Sequence, residues 1–344
     1  MAGWEGGLRG DPMPWLLDEG TPAVRHLTLR CLLDRTADDA ELRAALEAAM
    51  QSDPIGAFLA AMSPEGWWAQ PGSGYGPKYS STVWSLIFLD QMGADGADPR
   101  LRRACTYVIE HDQASNGGFG VGHAPDRQPA PSSTVHCLNG NLLRALIGFG
   151  WLGDERVRRA IDYQAAAITG EGDIRFYKSS VPGPGFRCGA NDGQPCAWGA
   201  TKALLALSRV PPALRSQAVQ RAVDAGVELL LGRDAAVADY PMGYGLTQPS
   251  GSWFKLGFPS GYVTDVLQVL EAVCQAGHAA DRRLDHAVEW LLTQQDGQGR
   301  WANHYAYEGK MAAPIDEPGQ PSRWVTLRAC TVLKAVAQAG RPER

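Results

Sequence analysis

No run of about 18 uninterrupted apolar residues, the length a membrane-spanning helix needs, occurs in the 344-residue sequence, so no transmembrane segment is expected. The opening Met1 to Asp11 carries glycine and charge where a secretory signal needs an apolar core, and a cytoplasmic protein is the expectation. Positive charge is not in excess either. With 32 Lys and Arg against 37 Asp and Glu the net charge is -5, which argues against a nucleic-acid partner. Cysteine is sparse and odd in number, seven residues at 31, 105, 137, 188, 196, 274 and 330, not the even framework of a disulfide-stapled domain. What remains, 44% apolar and 20% charged residues, suffices for one large core.

That core is written as a repeat. Val269-Leu-Glu-Ala-Val-Cys-Gln-Ala-Gly277 returns as Val332-Leu-Lys-Ala-Val-Ala-Gln-Ala-Gly340, identical at seven of nine positions, with a looser copy at Leu142 to Gly150. Each copy ends in glycine, as helix C-termini do. A second, amphipathic element interleaves with it, and its alanines 45, 104, 160, 222 and 287 lie 59, 56, 62 and 65 residues apart. Helices apolar all round must be buried and amphipathic ones must lie outside. Inner helices are therefore predicted near 22–34, 81–92, 134–149, 196–208, 261–276 and 323–339, and outer ones near 37–50, 98–111, 154–167, 213–231 and 280–294. Six inner and five outer helices leave one outer place, which residues 1–20, through Met13-Pro-Trp-Leu-Leu17, would fill to close the ring. The expectation is an all-α (α/α)6 toroid, a barrel of repeated helix pairs, as a single domain over 1–344 with a lid-like loop at 233–260.

Gln295-Asp-Gly-Gln-Gly299-Arg-Trp301, Gln113-Ala-Ser-Asn-Gly117-Gly-Phe119 and Ser63-Pro-Glu-Gly66-Trp67-Trp68 follow outer elements. They resemble the QW repeat of the terpene cyclase and protein prenyltransferase superfamily, squalene cyclases among them. The resemblance implies the toroid and a structural role for Trp301. The run from Cys196-Ala-Trp-Gly-Ala-Thr-Lys and Trp253-Phe-Lys-Leu-Gly-Phe-Pro also look like bacterial QW-repeat proteins of undefined function. Departures matter as much: the Asp-x-Asp-Asp acid of class II cyclases, the Asp-Asp-x-x-Asp of diphosphate-binding synthases and the Asp-x-Cys of zinc prenyltransferases are all missing.

In such a toroid the inner helices share a direction, so their N-terminal turns face one pocket. Cys137, Cys188 and Cys196 fall at that end, and thiolates suit zinc. The placement resembles lanthipeptide cyclases, whose zinc sits on Cys, Cys and His at inner-helix tips. Three readings stay open: a Cys137, Cys188 and Cys196 zinc site, buried free thiols, or a Cys188 to Cys196 loop disulfide. Asp265, Asp192 and His136 are candidate acid-base groups; helix capping is the plainer role for Asp265 and a satisfied pocket histidine for His136. Trp84, Trp198, Trp253, Trp324 and Tyr262 would supply aromatic walls, and Lys202 and Arg323 would meet an anionic group of a small-molecule substrate. The functions that fit are an enzyme holding an apolar or aromatic-bearing small molecule, with cysteine-held zinc activating a thiol, water or carbonyl; a metal-free acid-base cyclase or isomerase; or a non-catalytic toroid that binds a protein or peptide.

Overall fold

The computed structural model describes residues 3–122, 127–171 and 182–340. Its helices are α1 (Met13–Leu16), α2 (Pro22–Cys31), α3 (Ala40–Gln51), α4 (Ile55–Ala60), α5 (Thr82–Gln91), α6 (Pro99–His111) and α7 (His136–Gly148). There follow α8 (Glu155–Thr169), α9 (Ala197–Leu207), α10 (Gln217–Leu231), α11 (Val266–Val273), α12 (Asp285–Thr293) and α13 (Arg323–Gln338). The short antiparallel pair β1 (Pro182–Gly183) and β2 (Arg187–Cys188) is the one sheet among the described residues.

The inner ring is α2, α5, α7, α9, α11 and α13. These are the helices without a polar face: Thr82 through Leu89 of α5 and Gly199 through Leu207 of α9 are all buried. Outer helices bury one stripe only, such as Leu101, Ala104, Cys105, Val108 and Ile109 of α6, at the spacing of one helical face. Their starts are fixed by Asp39, Asp98, Asp154 and Ser216, whose side chains accept a backbone N–H of the first turn. The ring closes where α13 packs on α2, and a 3₁₀ turn at Trp4–Gly7 and α1 occupy the outer position against α13.

The Gly-aromatic turns repeat one device. Trp301 donates its indole N–H to the Leu291 carbonyl at 2.8 Å and takes the Thr326 hydroxyl on its backbone N–H at 2.9 Å. Trp68 does the same with the Phe58 carbonyl, at 2.7 Å, and Thr82, at 3.1 Å. Each tryptophan thus ties an outer element to the next inner helix while wholly buried. Gln295 fastens the closing segment, donating to the Gly7 carbonyl at 3.0 Å and accepting from Arg9 N–H at 2.8 Å.

Differences from the sequence reading are local. The helix predicted from 261 begins at Val266, because Asp265 caps it, and the one predicted from 213 begins at Gln217, because Pro211 and Pro212 shape a 3₁₀ turn first. Helix α4, six residues long, is too short to show a period.

The interior between the inner helices is filled, and partly with charge. Arg328 of α13 grips Glu271 of α11 through two bonds of 2.8 and 2.7 Å and also donates to the Gly257 carbonyl at 2.8 Å. Asp90 of α5 accepts from Arg209 at 2.6 Å and lies 3.5 Å from Arg144 of α7. Lys202 of α9, fully buried, donates to the Gln268 side-chain oxygen and to the Val263 carbonyl. Burial draws its ammonium down to about 7.

Candidate functional site

The three pocket cysteines come from three local structures. Cys137 is the second residue of α7, Cys196 is the N-cap of α9 and Cys188 ends β2. A tight hairpin makes the last two neighbours: Arg187 bridges Pro195, Cys188 N–H donates to the Gln194 carbonyl at 3.2 Å, and Cys196 N–H to the Phe186 carbonyl at 2.9 Å. The reversal needs left-handed backbone at Asp192 (φ 54) and Gly193 (φ 73), residue types that tolerate it. Asn191 then ties the hairpin to the segment after α10, donating to the Pro241 carbonyl at 3.1 Å and accepting from Gly243 N–H at 3.1 Å.

Between the hairpin and that segment lies a recess of about 370 Å³, lined by all three thiols and by Trp198, Tyr240, Tyr244, Trp253 and Tyr262. Trp253 stands between Tyr240, at 5.0 Å between ring centres, and Trp198, at 6.4 Å. The rim is unusually apolar for an exposed surface, with Tyr244 and Leu246 69% and 57% exposed. Tyr240 and Trp253 of the 233–260 segment are buried against the recess, whereas Phe254 turns away to pack on Trp290.

The thiols are electrically unequal. A hydrogen bond from Cys196 stabilises the Cys188 thiolate and draws that thiol down to about 6, while the same bond and burial hold Cys196 well above its ordinary value. Burial, followed by repulsion from Cys188, pushes Cys137 up to about 12. Cys188 is thus the most acidic of the three thiols, with Cys196 and Cys137 both held above the ordinary thiol range. As a zinc cradle the set does not fit as it stands: among the described residues no three Cys, His, Asp or Glu side chains are gathered to hold a metal ion.

The remaining sequence candidates divide by whether they reach this recess. Trp198, Trp253 and Tyr262 line it. His136 does not: its ring is buried between the Gly183 carbonyl, 3.1 Å from Nε2, and the Gln164 amide, 3.0 Å from Nδ1, and burial keeps it neutral by drawing it down to about 4. Asp265 is the cap of α11, accepting from Gln268 N–H at 2.8 Å and Gly257 N–H at 3.1 Å, and burial raises its carboxyl. Lys202 sits in the filled interior. Asp192 is exposed at the hairpin tip, its carboxylate accepting from Tyr244 N–H at 3.3 Å. Trp84 is wholly buried, its indole donating to the Tyr75 carbonyl at 3.0 Å.

Trp324 and Arg323 belong to a second recess, of about 310 Å³, with Trp15, Asp53 and Asp316. There Trp324 stacks on Phe258 at 4.6 Å, and Arg323 and Arg300 both lie over the Trp15 ring, at 4.8 and 4.3 Å. Sequence reading missed Tyr240 and Tyr244 as recess walls, placing them only in a covering loop. Nothing in their spacing distinguishes a wall from a cover.

No family model matches the chain, and no curated protein matches it. Solved structures do. A glycosyl hydrolase of family 88 from Bacteroides vulgatus aligns over 93% of this chain and 91% of its own, at 11% identity and a TM-score of 0.50. A family 76 α-mannanase from Bacteroides thetaiotaomicron aligns over 93% and 86% at 12% identity, with a TM-score of 0.45. The type II terpene cyclase MstE from Scytonema aligns over 83% and 96% at 14% identity, with a TM-score of 0.32. At such identities likeness is one of fold alone, and only the first is close enough to bear on it. The chain is an α/α toroid with an aromatic, thiol-lined recess at the N-terminal end of its inner helices. No helix is long and apolar enough to cross a membrane among the described residues.

Proposed function

We propose that this protein is an enzyme that takes an apolar or aromatic-bearing small molecule into the recess and acts on it through the Cys188 thiolate. The observation that carries the reading is the Cys188 and Cys196 pair that a tight hairpin brings together in the wall of an aromatic recess. A thiolate is a nucleophile at neutral pH, and Cys196 stands where it can return a proton to a leaving group. Trp198, Trp253 and Tyr262 would hold the substrate's flat or greasy portion. The test is labelling with a phenyl-bearing chloroacetamide at neutral pH, read by peptide mass spectrometry. Stoichiometric adduct at Cys188, lost in Cys188→Ser and slowed by competing aromatic compounds, is the expected result; even labelling of all seven cysteines would count against it.

A zinc ion on Cys137, Cys188 and Cys196 is the second reading, favoured by the convergence of these three thiols alone on one recess. It requires them to draw closer than they stand. Elemental analysis after reduction and zinc loading tests it: one zinc per chain, released by Cys137→Ser but not by Cys31→Ser, is the outcome that reading demands.

A further inference from the structure

Beside the thiol recess lies a second arrangement of aromatic rings, and it already holds a cation. The Lys78 ammonium lies 4.9 Å from the Tyr262 ring centre, 5.2 Å from Tyr79 and 5.8 Å from Trp84. These rings come from three parts of the chain: the loop before α5, α5 itself and the segment leading into α11. Among the described residues Lys78 makes no ion pair and no hydrogen bond, and the three π faces are what its ammonium meets.

The rings are fixed independently of the lysine. Trp84 is anchored on the Tyr75 carbonyl, and the Tyr262 hydroxyl donates to the Tyr75 hydroxyl at 3.2 Å. Tyr79 stacks on Tyr307 at 4.0 Å and 18°, and the Tyr307 hydroxyl accepts from Gly261 N–H at 2.9 Å. Trp84 meets Tyr79 at 4.9 Å and Tyr262 at 5.0 Å, both at 62°, so the faces converge and do not stack flat. Tyr79 is held at φ +74, a left-handed conformation that costs a bulky residue about 1–3 kcal/mol and is kept only where its surroundings enforce it. Lys78 itself is exposed, so its ammonium can leave the rings for solvent while the loop that carries it stays in place.

We infer that this cage is a binding site for the ammonium head of a small organic cation, and that Lys78 is a resident plug which the ligand displaces. A fixed set of converging rings around an exposed lysine is a receptor for a cation, and a methylated ammonium, less strongly hydrated than that of lysine, gains more from the same faces. The inference does not need the thiol chemistry proposed above, although Tyr262 is a wall of both sites.

The experiment is titration of tetramethylammonium into the wild-type protein and into Lys78→Ala, read by tryptophan fluorescence and by ligand NMR line broadening. Its neutral, similarly shaped counterpart tert-butanol is titrated in parallel. Lys78→Ala is expected to bind the cation at least about tenfold more tightly than wild type and to discriminate strongly against the alcohol. Tyr79→Leu added to Lys78→Ala should abolish binding without changing labelling of Cys188, since Tyr79 does not line the thiol recess. Thermal melts establish that each variant is folded. A folded Lys78→Ala protein that binds no cation, binds cation and alcohol alike, or keeps its affinity after Tyr79→Leu would overturn the site.

Discussion

Two polar regions of this toroid differ in one respect that decides their roles. Between the inner helices, Arg328 and Glu271, and Lys202 and Gln268, satisfy one another in a filled interior. At the recess, Cys188 is bonded by Cys196 and by the backbone of Ala190 and Asn191, yet it also lines open volume. From sequence both groups are polar residues in or just before apolar helices, but chemistry belongs where a reactive group has space beside it, and a buried charge with all its partners is architecture.

Breaking the interior should cost most. Arg328→Leu strands the Glu271 carboxylate, and removing one partner of a buried pair costs about 3–5 kcal/mol, so the variant should melt well below wild type or fail to accumulate. Replacing both partners with apolar residues should recover most of that loss, which differential scanning calorimetry can show. Trp301→Phe is expected to cost less, about 1–3 kcal/mol, because packing survives while the Leu291 carbonyl loses its buried donor. Asp265→Ala sharpens the comparison from the site's side. If Asp265 is a cap, the change lowers stability by about 0.5–2 kcal/mol and leaves Cys188 labelling unaltered; a collapse of labelling with stability intact would make it a functional acid. The smallest stability effect should be at the recess itself, where Cys188→Ser changes unfolding by less than about 1 kcal/mol yet removes the labelled thiol.

How much of this was legible in the letters follows the same division. The inner helices could be read because α5 and α9 lack a polar face. Convergence of the thiols was legible because Cys137 and Cys196 stand at the tips of adjacent inner helices. Lys202 misled for a geometric reason: α9 begins at Ala197, so this lysine lies about 7.5 Å below the tip, inside the packed interior. The sequence pairs Cys188 and Cys196 only as a loop disulfide, whereas both are free thiols whose approach depends on a hairpin register set by left-handed backbone at Asp192 and Gly193. The rings around Lys78 could not be foreseen, because they meet across residues as distant as 78 and 262.

The most direct measurement is the rate of iodoacetamide alkylation of each cysteine as a function of pH, with and without a metal chelator. A thiol lowered by its neighbour is reactive above its own value and loses that reactivity as pH falls through it. Cys188 should therefore react first, with a midpoint near pH 6, and at pH 7 at least about tenfold faster than Cys137; Cys196→Ala should move that midpoint upward toward the ordinary thiol range. Cys188 reacting no faster than Cys137, with the midpoint of an ordinary thiol in both chelated and untreated protein, would contradict the account.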